Sequence, residues 1–260
     1  MISAIIQARS GSTRLPRKVL KPLKGKPMIA HVIARVQAAH CIEQVILATT
    51  DHTSDDELAT VATGFGVKVF RGSENDVLDR YYQAAKTYNA SVIVRVTGDC
   101  PVIDPHIIDQ TVGLFQSWQY DYVNNFMQRT FPDGLDTEVI RFSALERAWQ
   151  DATLQSEREH VTPYLYKNPQ LFAQGGLTQP YDRGEWRWTV DEPVDFDFIE
   201  HVYSALYDQN PLFGQAMIVD LLTKNPDLRR INQGIGVNEG YEKSLQDDML
   251  RSSSDDQSGV

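Results

Sequence analysis

Apolar and polar positions follow two alternating periods over the first half of the chain. "SAIIQA" (3–8) is a short apolar run, and "QVILAT" (44–49), "VKVF" (67–70) and "SVIVRVT" (91–97) repeat it with β-branched residues, which predicts four buried strands. Between them, "PMIAHVIARVQAA" (27–39), "SDDELATVAT" (54–63) and "DVLDRYYQAAKTY" (76–88) carry apolar residues at helical spacing, and "DPHIIDQTVGLFQSW" (104–118) begins a fourth helix. Pro27 suits a first turn, Ser54 caps the second helix, and Asp104 before Pro105 caps the fourth. Strands separated by helices in this way predict an α/β protein with a mostly parallel sheet covered on both faces.

After residue 120 the rhythm changes. "DYVNN" and "LDTEVI" read as strands joined by the turn "FPDG", with helices at 143–150 and 156–167. "EWRWTV" (185–190) returns to strand character, and helices follow near 194–208 and 214–224. With no internal repeat and no clean linker, residues 1–245 are expected to form one domain whose second half extends the same sheet. Residues 246–260, ending in the serine-rich "LRSSSDDQSGV", are expected to be a disordered tail.

Charge alters this picture in one place. The 260-residue chain holds 25 basic and 35 acidic side chains, a net −10 that disfavours nucleic acid or an anionic membrane as the main partner. Yet no Asp or Glu occurs before Glu43, and "QARSGSTRLPRK" (7–18) packs Arg9, Arg14, Arg17 and Lys18 onto one turn. No window is apolar enough for a membrane span. Two cysteines are too few for a disulfide framework, so a reducing cytosol is expected.

A glycine-bearing turn after a first strand puts backbone N–H groups at the carboxyl edge of the sheet, where open α/β folds bind ligands. Together with Arg and Lys this makes a site for phosphate oxygens, although neither G-x-x-x-x-G-K-[ST] nor G-x-G-x-x-G fits the loop. A triphosphate travels with a divalent ion, which needs carboxylates. "RVTGDCP" delivers Asp99 from the same sheet edge, and because Asp104 already serves the following helix, Asp99 reads as a hard oxygen ligand for Mg²⁺. "WTVDEPVDF" supplies Asp191 as a second ligand, with an N-cap role as its alternative.

These residues also carry a family resemblance. "AIIQARSGSTRLPRKVLKPLKGKPM" resembles the signature of the cytidylyltransferases that make CMP-activated acidic sugars, and "TGDCP" and "TVDEPVDFDFI" stand where that family has its metal aspartates. "VFRGSENDVLDRYYQAAK", "FPDGLDTEVI", "SEREHVTPYLY" and "INQGIGVNEGYEKSL" resemble the spore-coat polysaccharide biosynthesis protein F branch; the likeness spans residues 2–245. Arg17 departs from it, standing where the family carries glycine.

The resemblance implies a single-domain, Rossmann-like (GT-A-like) nucleotidyltransferase fold. It implies transfer of CMP from CTP to an acidic sugar with release of pyrophosphate, in surface-polysaccharide or glycoconjugate synthesis, and a homodimer. Arg9, Gly11, Ser12, Arg14 and Lys18 would hold the phosphates, and Ala8, Arg71, Ser73, Arg80 and Thr97 the base and ribose. Asp99 and Asp191 would bind Mg²⁺, while Asp136, Glu138, Arg158, Glu159 and His160 would meet the sugar. Arg14, Lys18 and Asp99 would carry the chemistry by stabilising charge around the α-phosphorus. Two other readings compete. Asp195-Phe196-Asp197 spells the D-x-D metal motif of many glycosyltransferases, and the domain could bind a nucleotide without catalysis. No G-x-S-x-G occurs for a serine hydrolase, and the histidines lack zinc-ligand spacing.

Overall fold

Strand β1 (Ile2–Gln7) is apolar on both faces because it lies inside a sheet, flanked by β4 (Gln44–Thr50) and β6 (Val92–Thr97), both parallel to it. A small hairpin of β2 (Pro22–Leu23) and β3 (Lys26–Pro27) intervenes between β1 and helix α1 (Met28–Gln37). The chain then runs through β4, α2 (Asp56–Gly64), β5 (Lys68–Gly72), α3 (Val77–Thr87), β6 and α4 (Pro105–Ser117). The computed structural model describes residues 1–236 and 239–255.

In the second half come β7 (Tyr122–Asn124), β8 (Glu138–Arg141), α5 (Phe142–Asp151), α6 (Gln155–His160), α7 (Pro163–Lys167) and β9 (Gln174–Gly176). Helices α8 (Pro193–Leu206), α9 (Gln215–Lys224) and α10 (Glu239–Asp255) complete the chain. The sheet order is β5-β4-β1-β6-β8-β7-β9, and only β8 runs against its neighbours. The second half thus extends the first sheet, as expected. One apolar cluster packs α1, α2, α4, α8 and α9 on one face, and another packs α3 and α5 on the opposite face.

Strand order fixes where a ligand can go. From β1 the chain moves outward to β4 and β5, then crosses to β6 on the other side of β1. The crevice at such a reversal lies at the carboxyl ends of the two central strands. Here those ends are Gln7, which leads into the cationic loop, and Thr97, which leads into Gly98-Asp99. The two loops touch: Gly98 N donates to Gln7 O at 2.8 Å, and a Cβ at Gly98 would lie 2.7 Å from the Ala8 Cβ. Only glycine permits that approach.

Four local expectations need correction. Ser54 sits within a 3₁₀ turn (Thr53–Asp55), and Asp55 immediately precedes α2. The helix expected over 156–167 is two helices, broken at Val161 (φ 73°, ψ −55°) by a γ-turn in which Thr162 N donates to His160 O at 2.8 Å. Residues 185–190 form no sheet strand. They cross the carboxyl edge instead, where Arg187 bridges to Asp133 and Val190 N donates to Asp99 O at 2.9 Å. Finally, disorder was expected from residue 246, but α10 continues to Asp255. Asp248 accepts from Ser156 N at 3.3 Å, and Ser244 Oγ donates to Glu159 at 2.9 Å, docking this helix on α6. The last five residues of the expected tail lie outside the described ones.

Asp55 has a larger task than capping. Buried beneath the cationic loop, it accepts from Ser10 N at 2.7 Å and Thr49 Oγ1 at 2.9 Å, and from the Thr50 hydroxyl. Burial alone would raise its pKa, but the hydrogen bonds from Thr50, Ser10 and Thr49 outweigh that and hold it below the usual carboxylate range. A depressed folded pKa contributes stability that is present above the unfolded value of about 3.9 and lost as pH falls through the folded one. Asp55→Asn is therefore expected to cost about 2–3 kcal/mol at neutral pH in urea unfolding. The gap between variant and parent should narrow below about pH 4; a gap that widens in acid would contradict this role.

Candidate active site

The cationic loop is held from both ends. Leu15 and Val19 are buried, Ser10 N is tied to Asp55, and Arg17 N donates back to Ser10 O at 3.2 Å. Arg17 adopts φ 58°, ψ 26°, the left-handed conformation that a glycine at this place would enter freely. Its guanidinium turns away from the crevice to Glu57 on α2, so of the four cations it alone serves no cavity. Arg9 pairs with Glu74 at 2.7 Å, and Arg14 faces Asp191 at 3.4 Å and Glu192 at 3.2 Å.

Lys18 is the centre of the site. Its Nζ donates to Asp99 Oδ2 at 3.1 Å, Asp191 Oδ1 at 2.7 Å and Val190 O at 2.8 Å. Two aspartates far apart in sequence thus present oxygens to a single cation. For Lys18, burial would lower the pKa, but Asp99 and Asp191 prevail and raise it. For Asp99, burial acts upward and is outweighed by Lys18 and by the Thr97 hydroxyl at 2.5 Å, which hold its pKa at about 2. Both groups are charged at neutral pH.

Asp191 is not an N-cap; Glu192 occupies that place in front of α8. What positions Asp191 is Asp195, fully buried, which accepts from Asp191 N at 3.0 Å and Glu192 N at 2.9 Å. Asp195 also takes two 2.9 Å hydrogen bonds from Arg187, whose Nη2 reaches on to Asp191 Oδ2 at 3.1 Å. Burial pushes the Asp195 pKa up, but Arg187 and the backbone donors bring it below normal. This arrangement corrects the D-x-D reading: Asp195 is spent inside the protein and cannot share an ion with Asp197.

Two cavities meet at the aspartates. The larger, of about 430 Å³, is lined by Ala8, Arg9, Gly11, Ser12, Arg14, Lys18, Arg80, Thr97 and Asp99, bringing together most of the expected phosphate and nucleoside residues. Arg80 is buried, with Nη1 on Ser73 O at 2.7 Å and a buried Nε that lacks a hydrogen-bond partner among the described residues. Arg71 and Ser73 stand outside this lining. Arg71 is consumed by Thr50 O, His52 O and Asp56, and Ser73 Oγ accepts from Asp76 N at 3.0 Å. Both stabilise the β5–α3 connection.

The smaller cavity, of about 310 Å³, adjoins Asp99 and Asp191 and is lined by Asp136, Glu138 and His160 from the expected sugar set. Glu159 lines the larger cavity instead. Arg158 lines neither; it grips Asp76 with Nε and Nη2 and donates from Nη1 to Trp149 O at 2.6 Å, which locks α6 onto α3. Burial lowers the His160 pKa against the pull of Glu159, and its Nε2 lies 3.0 Å from Ser244 Oγ.

Sequence reasoning missed Gln7, Arg95, Arg129, Asp133 and Arg187, all on the wall of the smaller cavity. Arg95 had a visible signal, a lone cation in a β-branched run. Arg187 lay hidden in the W-R-W alternation taken for a strand, and Asp133 in the "FPDG" turn.

The donor set suits a divalent ion. Mg²⁺ is commonly bound by one or two carboxylates plus substrate phosphates, and two carboxylates converge here on one cation position. Among the described residues no group of three His, Cys, Asp or Glu forms a closed metal cage.

Comparison with known proteins agrees with this geometry. Residues 3–220 match the Cytidylyltransferase family. The spore coat polysaccharide biosynthesis protein SpsF of Bacillus subtilis is 33% identical, with 86% of this chain and 94% of that protein covered. A 3-deoxy-manno-octulosonate cytidylyltransferase of Trichlorobacter lovleyi is 38% identical over 91% of this chain and 88% of its own length. The structure of a cytidylyltransferase from Leptospira borgpetersenii superposes with a TM-score of 0.85 at 36% identity, covering 91% of this chain and 99% of that one. With the cationic loop, the paired aspartates and the sheet that presents them, this chain belongs to the cytidylyltransferase family.

Proposed function

We propose that the protein transfers CMP from CTP to a sugar hydroxyl, releasing pyrophosphate, in the synthesis of a surface polysaccharide or glycoconjugate. The observation that carries this reading is the meeting on Lys18 of Asp99 and Asp191, the two carboxylates that line both cavities. The larger cavity takes the nucleoside triphosphate and the smaller takes the sugar. The acceptor hydroxyl oxygen attacks the α-phosphorus from the smaller cavity, a new P–O bond forms, the bond to the bridging oxygen breaks in line to release pyrophosphate, and the hydroxyl proton passes to solvent.

Charge stabilisation and placement do most of the work in such a transfer. Lys18 and Arg14 lie where the pyrophosphate gathers charge, and Arg9 and the loop backbone hold the outer phosphates. Ser10, pinned by Asp55, keeps that backbone in place. Mg²⁺ held by Asp99 and Asp191 would neutralise phosphate oxygens and orient the acceptor. Lys18 spans the two aspartates, and with the triphosphate bound it would turn from carboxylate to phosphate oxygens, while Asp99 and Asp191 would hold the ion. Thr97 on Asp99 and Arg187 on Asp191 hold the carboxylates while that happens.

Cys41 and Cys100 are free, and the thiol pKa of Cys41 is pushed up to about 12 by burial and by Asp109. No described helix is long and apolar enough to cross a membrane.

A screen of CTP, UTP, ATP and GTP against sugar acceptors, read as released pyrophosphate, tests the reaction. CTP is expected to give the largest signal, and the signal should vanish with EDTA and return with Mg²⁺. Hydrolysis of a sugar nucleotide without any pyrophosphate signal would favour a glycosyltransferase. Lys18→Ala and Asp99→Asn are each expected to lower kcat on the order of 10²–10³ while circular dichroism stays unchanged. Near-normal pyrophosphate release by either variant would remove that residue from the mechanism.

A further inference from the structure

The late stretch "INQGIGVNEGYEKSL" (231–245) carries residues that the phosphate chemistry does not use. The match to the Cytidylyltransferase family ends at residue 220, yet Gly236 and Tyr241 both stand on the wall of the smaller cavity. Gly236 O accepts from Arg187 Nη1 at 3.2 Å, which ties this backbone to the arginine that also reaches Asp191.

Tyr241 lies near the start of α10, and Ser244 and Asp248 follow at spacings of three and four, so all three share one helix face. That face meets α6 and α7. The Tyr241 ring stands edge-on to His160 with 5.0 Å between centroids, and Lys167 Nζ lies 5.6 Å from its centroid. Its hydroxyl is buried and adjoins Tyr166, whose pKa is pushed upward by burial and by this neighbour. Ser244 fixes His160 and Glu159 from the same face. Among the described residues, α10 adds none to either apolar cluster. Helices in proteins are mostly held by burying an apolar face. Polar and ring contacts grouped beside the cavity hold this one, so its placement serves the cavity rather than the core.

Tyr241 joins Phe126 and Tyr166 as the flat, apolar part of a cavity otherwise lined by charge, and it does not line the larger cavity. An aromatic ring offers a large, rigid apolar surface at little cost in conformational freedom. Resting on the reading of the smaller cavity as the acceptor site, we propose that Tyr241 is a specificity-determining residue for the acceptor. Its ring packs against the C–H face of the sugar, while the charged wall is left to the sugar's polar groups. Helix α10 thereby completes the acceptor site and leaves the nucleotide site alone.

Pyrophosphate release by the full chain, with CTP and Mg²⁺, tests the assignment. The parent is offered 3-deoxy-manno-octulosonate, 8-amino-3,8-dideoxy-manno-octulosonate, glucose and glucosamine, and the sugar with the highest kcat/KM is carried to the variants. Tyr241→Ala is expected to raise KM for that sugar about tenfold or more, with kcat and the KM for CTP each within about threefold, the pattern of a lost binding contact. Tyr241→Phe, which keeps the ring, should match the parent within about threefold. Should alanine cost the protein its circular dichroism, Tyr241→Leu fills the same space without a flat ring and is read in the same way. A sugar KM that loss of the ring leaves unmoved overturns the assignment. So does a KM for CTP that rises by the same factor, which marks α10 as a brace for both cavities, or a phenylalanine variant as impaired as the alanine one. Failure of the underlying reading shows differently: the parent itself releases no pyrophosphate with any of the sugars, and the inference falls with it.

Discussion

An ammonium group between two carboxylates organises this molecule. Lys18 comes from the loop after β1, Asp99 from the loop after β6, and Asp191 from the segment ahead of α8. Mutual repulsion would drive two aspartates apart in a partly buried setting, and a shared cation converts that repulsion into convergence. The surroundings serve the same end. Gly98 lets the first two loops touch, Asp55 fixes the first from below, and the Arg187–Asp195 pair fixes the third. Breaking such a buried pair leaves an uncompensated charge, so this framework resists piecemeal loss.

The same arrangement explains how an acidic protein keeps a cluster of cations on one loop. The loop cations are not simply exposed. Each is already matched to a carboxylate on another element. The crevice is therefore pre-shaped, its side chains already ordered by these pairs.

Much of the fold was legible because burial on two faces leaves an unmistakable mark on β1, β4 and β6, and because α1 and α3 each keep one apolar stripe. The segment 185–190 misled because W-R-W-T alternates as a strand does; here the alternation sorts Trp188 into the core and Arg187 toward the aspartates. The convergence of the cationic loop with Asp99 and Asp191 was readable since their residue types are rare in such positions. Arg71, Ser73 and Arg158 were overread: motif proximity does not say which way a side chain turns, and each is used up by local hydrogen bonds. Asp55, Asp133 and Arg187 could not have been ranked from sequence, because their partners come from segments that only the tertiary fold brings near.

One consequence concerns the order in which the site comes into being. The phosphate loop and Asp99 sit on strands that pair early along the chain, but Asp191 and its buried clamp lie in the last third. Strands β1, β4, β5 and β6 all precede Asp191 in the chain. Contacts spanning such sequence separation close slowly. The paired-aspartate centre therefore cannot close until the segment ahead of α8, which carries Asp191, has joined the loop after β1.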